Sequence, residues 1–167
     1  LSTHGGSLRI YAKHKDDTAH TITAHVQNML DKEAEAGLTH TETYKGFQQK
    51  ALHIKLELLG FLIEQKRAGK KVAAYGAAAK GNTLLNFCGV KNDLISFVVD
   101  ANPHKQNKYL PASHIPVLNE AALKAAKPDY VIILPWNLKE EIVNQLEYIK
   151  DWSGKFVAAI PNLQIIG

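Results

Sequence analysis

Apolar positions follow two rhythms along this chain, changing near residue 70. Before that point they recur at helical spacing. Asp16, Asp17 and Thr18 supply helix-start chemistry for a helix that places Ile22, Val26, Met29 and Leu30 on one face and stops near Gly37. Thr39 with Glu42 is a capping-box pattern, and it opens a single long helix to about Ala68, with Gly69 beyond its end. On that helix Phe47, Ala51, Ile54, Leu58 and Phe61 form one stripe, and Leu52, Leu56, Leu59 and Ile63 form a second beside it. An apolar face of that width implies burial on two sides. At 1.5 Å per residue the helix would run about 40 Å, longer than a small sheet needs, so part of it is expected to cover something outside the domain. Ahead of both helices, residues 7–12 alternate Leu8, Ile10 and Ala12 like a short strand, with no strand nearby in sequence to pair with.

From Lys71 onward the apolar residues gather into short continuous runs. Residues 72–75, 94–99, 114–118, 130–134 and 155–160 read as five strands, alternating with helices over residues 81–88, 120–127 (capped by Asn119) and 139–150. Strands apolar on both faces and separated by helices predict a parallel sheet covered on each side. Right-handed crossovers favour the strand order 3-2-1-4-5. The fold class expected is therefore α/β, a Rossmann-like doubly wound parallel sheet preceded by two helices.

Composition narrows the reading only slightly. The chain has 167 residues, 46% hydrophobic and 22% charged, which is enough for one domain with a sizeable core. No apolar run approaches the ~20 residues that span a bilayer, and the first six residues lack the regions of a secretory signal. One cysteine, Cys88, permits no intrachain disulfide, so a cytoplasmic setting is expected. The net charge of +4 is dispersed. The nearest cluster, Lys66, Arg67, Lys70 and Lys71, closes a helix and complements its dipole, which argues against nucleic acid as a partner. A lone first strand and the absence of an initial methionine hint at a piece of a longer chain, with residues 1–16 the tail of a preceding domain and residues 17–167 the domain proper.

The strongest local signal runs from Val72 through Tyr75, Gly76, Ala77, Ala78, Ala79, Lys80, Gly81 and Asn82 to Thr83. A buried strand leads into small residues and then a helix, an arrangement that lets phosphates approach backbone N–H groups. As a dinucleotide fingerprint it is degraded; as an NTPase phosphate loop it has Asn82 where the lysine belongs, which argues against NTP hydrolysis. A tight turn that holds no ligand is the plain alternative. In the expected sheet this turn faces the end of the fourth strand, where Trp136 offers a flat face for a base or sugar and Asn137 an amide; a half-buried tryptophan beside a helix cap explains them equally. Asp100 follows Gly76 by 24 residues, the place of a ribose-binding acid or of an ordinary strand-end residue. His104, Lys105 and Tyr109 follow in a loop suited to an anion, or simply to water. No paired carboxylates, nucleophile–base set or metal-ligand spacing stands out among the eight histidines and their neighbours, so neither catalytic nor metal-binding residues are assigned. His53, inside the long helix, reads as a packing residue.

The blocks from Tyr75 to Asn86, from Val98 to Gln106 with Tyr109-Leu110-Pro111 and His114-Ile115-Pro116, from Leu134 to Lys139, and Lys155-Phe156-Val157 resemble the C-terminal domain of S-adenosylmethionine-dependent sugar C-methyltransferases. The stretch His4-Gly5-Gly6-Ser7-Leu8-Arg9 resembles the end of that family's middle domain. The resemblance implies a zinc-binding region and a methyl-donor domain upstream, with S-adenosylmethionine and zinc bound there and no cofactor in this stretch. It also implies a nucleotide-linked keto sugar as substrate, which this lobe helps to hold. Gly76, Ala77, Ala78, Lys80, Gly81, Asn82, Asp100, His104, Lys105, Tyr109, Trp136 and Asn137 are the binding candidates, and the upstream methyltransferase domain is the expected partner. Ala101, Asn107 and Ala112 stand where relatives are expected to vary or to carry glycine. A stand-alone nucleotide- or dinucleotide-binding module is the alternative, and a structural lobe with an empty crevice the third reading.

Overall fold

The structure, a computed structural model, describes Leu1 and residues 6–167, so His4 and Gly5 of the first family-like block lie outside the described residues. The chain divides into two units, Leu1–Ala51 and Leu52–Gly167.

In the first unit, helix α1 spans Ala24–Glu35. It begins later than Asp16–Thr18 suggests because the Asp17 carboxylate turns to local amides instead, accepting from the N–H groups of Ala19 at 2.8 Å and His20 at 3.3 Å. That is an Asx turn, which competes with helix initiation. The Leu38 N–H bonds to the Glu33 carbonyl and Gly37 adopts φ +69°, closing α1 as expected for a left-handed cap. The predicted single long helix is two: α2 over Glu42–Lys45 and α3 over Phe47–Arg67, interrupted at Gly46. No side chain caps α2, so the capping box read at Thr39 does not form. Residues 7–12 form no strand, and Leu8, Ile10 and Tyr11 lie exposed; the Ser7 N–H bonds to the Leu1 carbonyl at 2.9 Å.

The second unit is a seven-stranded sheet: β1 Val72–Tyr75, β2 Val98–Val99, β3 Lys108–Tyr109, β4 Pro116–Leu118, β5 Tyr130–Ile133, β6 Lys155–Ala158 and β7 Gln164–Ile166. Their spatial order is β3-β4-β2-β1-β5-β6-β7. The five central strands pair in parallel and follow the predicted succession; β3 and β7 flank them antiparallel, so the expected count of five is corrected to seven. The two extra strands escape a pattern search because they are two and three residues long and mostly exposed.

Alternation along β1 sorts the core. Val72 and Ala74 face a layer built by Leu58, Phe61 and Leu62 of α3 with Leu84, Leu85 and Cys88 of α4 (Ala79–Cys88). Ala73 and Tyr75 face the opposite layer, built by Leu123 of α5 (Ala121–Ala126), Ile142 of α6 (Lys139–Gln145) and Ile149 of a 3-10 segment over Glu147–Trp152. Leu58, Leu62, Leu85 and Leu123 are fully buried, each stabilising the fold by roughly 1.5–3 kcal/mol. The predicted helix over residues 139–150 thus breaks at Leu146, and Asn119 does not cap α5, whose N-cap residue is Glu120. Crossovers on both faces put the reversal of strand order between β1 and β5.

Candidate functional site at the β1–β5 switch point

The turn after β1 is built by contacts that glycine alone permits. Gly76 has φ +89°, and a Cβ there would lie 2.6 Å from Cδ of Pro135 and 2.8 Å from its Cγ. Pro135, just beyond β5, therefore occupies the space over this glycine. A Cβ on Gly81 would lie 2.6 Å from Cβ of Leu134, so this second glycine lets α4 pack tightly against the end of β5. That is the helix–strand contact for which nucleotide-binding turns use their last glycine.

Asp100, at the end of β2, organises the loops. Its Oδ2 accepts the Ala77 N–H at 2.7 Å and the Lys105 ammonium at 3.1 Å, and its Oδ1 accepts the Asn102 N–H at 2.8 Å. The Gln106 amide donates to the Asp100 backbone carbonyl at 2.9 Å. Asp100 is 9% exposed, so its carboxylate is engaged in holding the turn and the following loop together. Sequence reading left it as a ribose-binding acid or an ordinary strand-end residue; the geometry gives both oxygens protein donors.

Across the switch point the Lys80 ammonium hydrogen-bonds the Asn137 side-chain oxygen and sits 4.8 Å from the Trp136 ring centroid. Both residues lie in the 3-10 turn Trp136–Leu138, which Pro135 starts. Helix α4 begins after Ala78, and no side chain caps it. The Asn82 Oδ1 in its first turn is buried without a hydrogen-bond partner. Gly76, Ala77, Ala78, Lys80, Gly81, Asn82, Trp136 and Asn137 are thus gathered at the carboxyl ends of β1 and β5, with Asp100 and Lys105 adjoining through Ala77. His104 is exposed, its N–H bonded to Asn102 Oδ1 at 2.9 Å. Tyr109 stands on edge strand β3, separated from β1 by β4 and β2, and is not brought to the switch point.

Sequence reading missed a polar pair of tyrosines on the α5/α6 side. The Gln145 amide donates to the Tyr75 hydroxyl at 2.9 Å, and the Tyr148 hydroxyl donates to Glu120 at 2.8 Å, with the Lys124 ammonium 4.5 Å from the Tyr148 ring. Burial raises both phenol pKa values above the usual range, and for Tyr148 the Glu120 carboxylate adds to the effect. The period-two pattern of β1 does point Tyr75 to that face; the Glu120 contact, 28 residues from Tyr148, has no local signal. The residues present do not fit zinc: burial raises the pKa of the only thiol, Cys88, and the described residues hold no group of three His, Cys, Asp or Glu. At the turn itself Pro135 covers Gly76 and the Ala77 N–H is bound to Asp100.

Comparison with known proteins gives three findings. The family model described as C-methyltransferase C-terminal domain matches residues 2–161. The C-methyltransferase NovU of Streptomyces niveus is 32% identical over 164 residues, 98% of this chain, and the chain spans 39% of that relative's length. Among solved structures, UDP-D-quinovosamine 4-dehydrogenase from Vibrio fischeri superposes with a TM-score of 0.42 at 18% identity, covering 59% of this chain and 93% of that one.

Proposed function

Because this chain belongs to the C-methyltransferase C-terminal domain family, we propose that it is the substrate-side lobe of an S-adenosylmethionine-dependent C-methyltransferase and holds a nucleotide-linked keto sugar for a methyl-transfer centre carried by an upstream domain. The observation that carries this reading is the cluster at the switch point. An uncapped helix N-terminus, the Lys80 ammonium, an aromatic face and an amide stand where open α/β sheets take their ligands. The first-turn amides of α4 and Lys80 suit the diphosphate, and Trp136 and Asn137 suit the sugar or base. Asp100 acts behind them by fixing Ala77 and Lys105 rather than by touching ligand. In this reading the chain carries no acid–base set and no cofactor of its own. S-adenosylmethionine and zinc belong to the upstream part, and the setting is cytoplasmic.

Titration of the chain with a thymidine or uridine diphosphate sugar tests the site. Lys80→Ala should weaken binding most at low salt, because an exposed charge is screened. Trp136→Ala should weaken it independently of salt. Binding unchanged in both variants, or no binding by the wild type, would sink the switch-point reading; saturable binding of S-adenosylmethionine would sink the division of labour.

A further inference from the structure

We propose that Lys80 gates the switch-point site, covering Trp136 until a phosphate group draws it away, so that the aromatic face opens only to ligands that carry phosphate. This rests on the reading of the switch point as a sugar-nucleotide site and adds how that site refuses other ligands. Its starting point is that the groups assigned to the ligand are engaged with one another. The Lys80 ammonium hydrogen-bonds the Asn137 side-chain oxygen and lies over the Trp136 ring, 4.8 Å from the centroid. One cation thus bridges the two walls of the crevice, the first turn of α4 and the 3-10 turn after β5. Trp136 itself is half-buried and packs against the core, so the ring stays in place whether or not Lys80 lies on it.

Charge decides what can move this cation. Lys80 is exposed, and its hold is one bond to a neutral amide and a cation–π contact, which is weak at an exposed site. Among the described residues no carboxylate forms an ion pair with Lys80, so an incoming anion has no protein charge to displace. A phosphate brings a full negative charge, and a hydrogen bond between ionised partners is shorter and stronger than one to a neutral amide. The uncapped first turn of α4, from which Lys80 projects, attracts the same anion. Lys80 therefore leaves the ring for the phosphate and uncovers it for the rest of the ligand. A nucleoside or a free sugar offers the ammonium no charge and meets a covered ring.

The test reads Trp136 directly. Trp152→Phe removes the other tryptophan, and acrylamide, a neutral quencher, then measures how far the Trp136 ring is covered. Saturating inorganic pyrophosphate at low salt, its binding followed by calorimetry, should raise the quenching of Trp136. The rise should reach the value that Lys80→Ala and Lys80→Gln show without pyrophosphate, and those variants should rise no further. Lys80 is exposed, so neither substitution touches the core. Uridine at the same concentration should leave quenching unchanged while Lys80 is present. Should Trp152→Phe fail to fold, fluorotryptophan labelling of the unaltered chain, read by fluorine NMR, separates the two rings and gives the same readout. Pyrophosphate that binds while Trp136 stays covered overturns the gate and leaves the sugar-nucleotide site standing. Quenching as high with Lys80 as without it, or altered by uridine, also overturns the gate. Pyrophosphate that does not bind overturns it too, and titration with the diphosphate sugar then decides separately whether the site survives.

Discussion

At the scale of single residues, Asp100 ranks above the charged side chains around it. Its two oxygens accept the N–H groups of Ala77 and Asn102 and the Lys105 ammonium, and it is nearly buried. Removing it orphans two backbone donors, each worth about 1–3 kcal/mol when left without water or partner. Asp100→Ala should therefore destabilise by about 2–4 kcal/mol in denaturant unfolding. Lys105→Ala should cost under about 1 kcal/mol, since that side chain is 44% exposed and its ion pair is solvent-screened. Equal losses would show that the ion pair, not the amides, is what Asp100 supplies. The sequence marks Asp100 by its spacing from Gly76, but spacing cannot tell a ligand acceptor from a loop clamp. For Gly76 the small-residue pattern is legible, while its cause, the Pro135 ring packed on it and a positive φ, is a contact 59 residues away. Gly76→Val would strain the backbone and collide with that ring, so it reports on folding as much as on binding.

Among elements, legibility follows burial and length. The buried strands β1, β5 and β6 and the helix α4 emerge from runs of apolar residues, and the parallel order follows from their alternation with helices. The break at Leu146 and the edge strands β3 and β7 do not, because each is decided by tertiary packing, whereas the break at Gly46 lies among exposed residues and follows glycine's low helix propensity. The amino ends of the strands carry a clamp that no local pattern signals. Asp129 accepts the Lys71 N–H at 2.8 Å and the Lys70 ammonium at 2.9 Å, tying the start of β1 to the start of β5. These contacts, the Lys71 amide first, hold the Asp129 carboxyl below its ordinary value of 3.8. A depressed carboxyl pKa stabilises the fold above the unfolded value, and that stability is lost as pH falls through the folded one. Asp129→Asn should thus be less stable than wild type at neutral pH, with the gap closing below about pH 4. Urea midpoints for both proteins at neutral and acid pH measure it; a gap that stays constant would mean the carboxylate charge contributes nothing.

For the whole molecule, stability should reside in the second unit. Among the described residues the first buried apolar one is Leu58, and none of the first unit is buried. Sequence periodicity marks α1 and α3 alike as amphipathic; it does not say that α3 sends Leu58, Phe61 and Leu62 into the core beside the sheet. Deleting residues 1–46, up to the start of α3, should leave the sheet folded. At high dilution its unfolding free energy should match the full chain within about 0.5 kcal/mol, the margin for changes outside a core. Amide exchange in the full chain at the same dilution should show Ala24–Glu35 opening far more readily than β1 and β5. A truncated protein that melts early even when dilute would mean that the first unit supports the sheet through contacts beyond burial, and the assignment of stability to the second unit would fail.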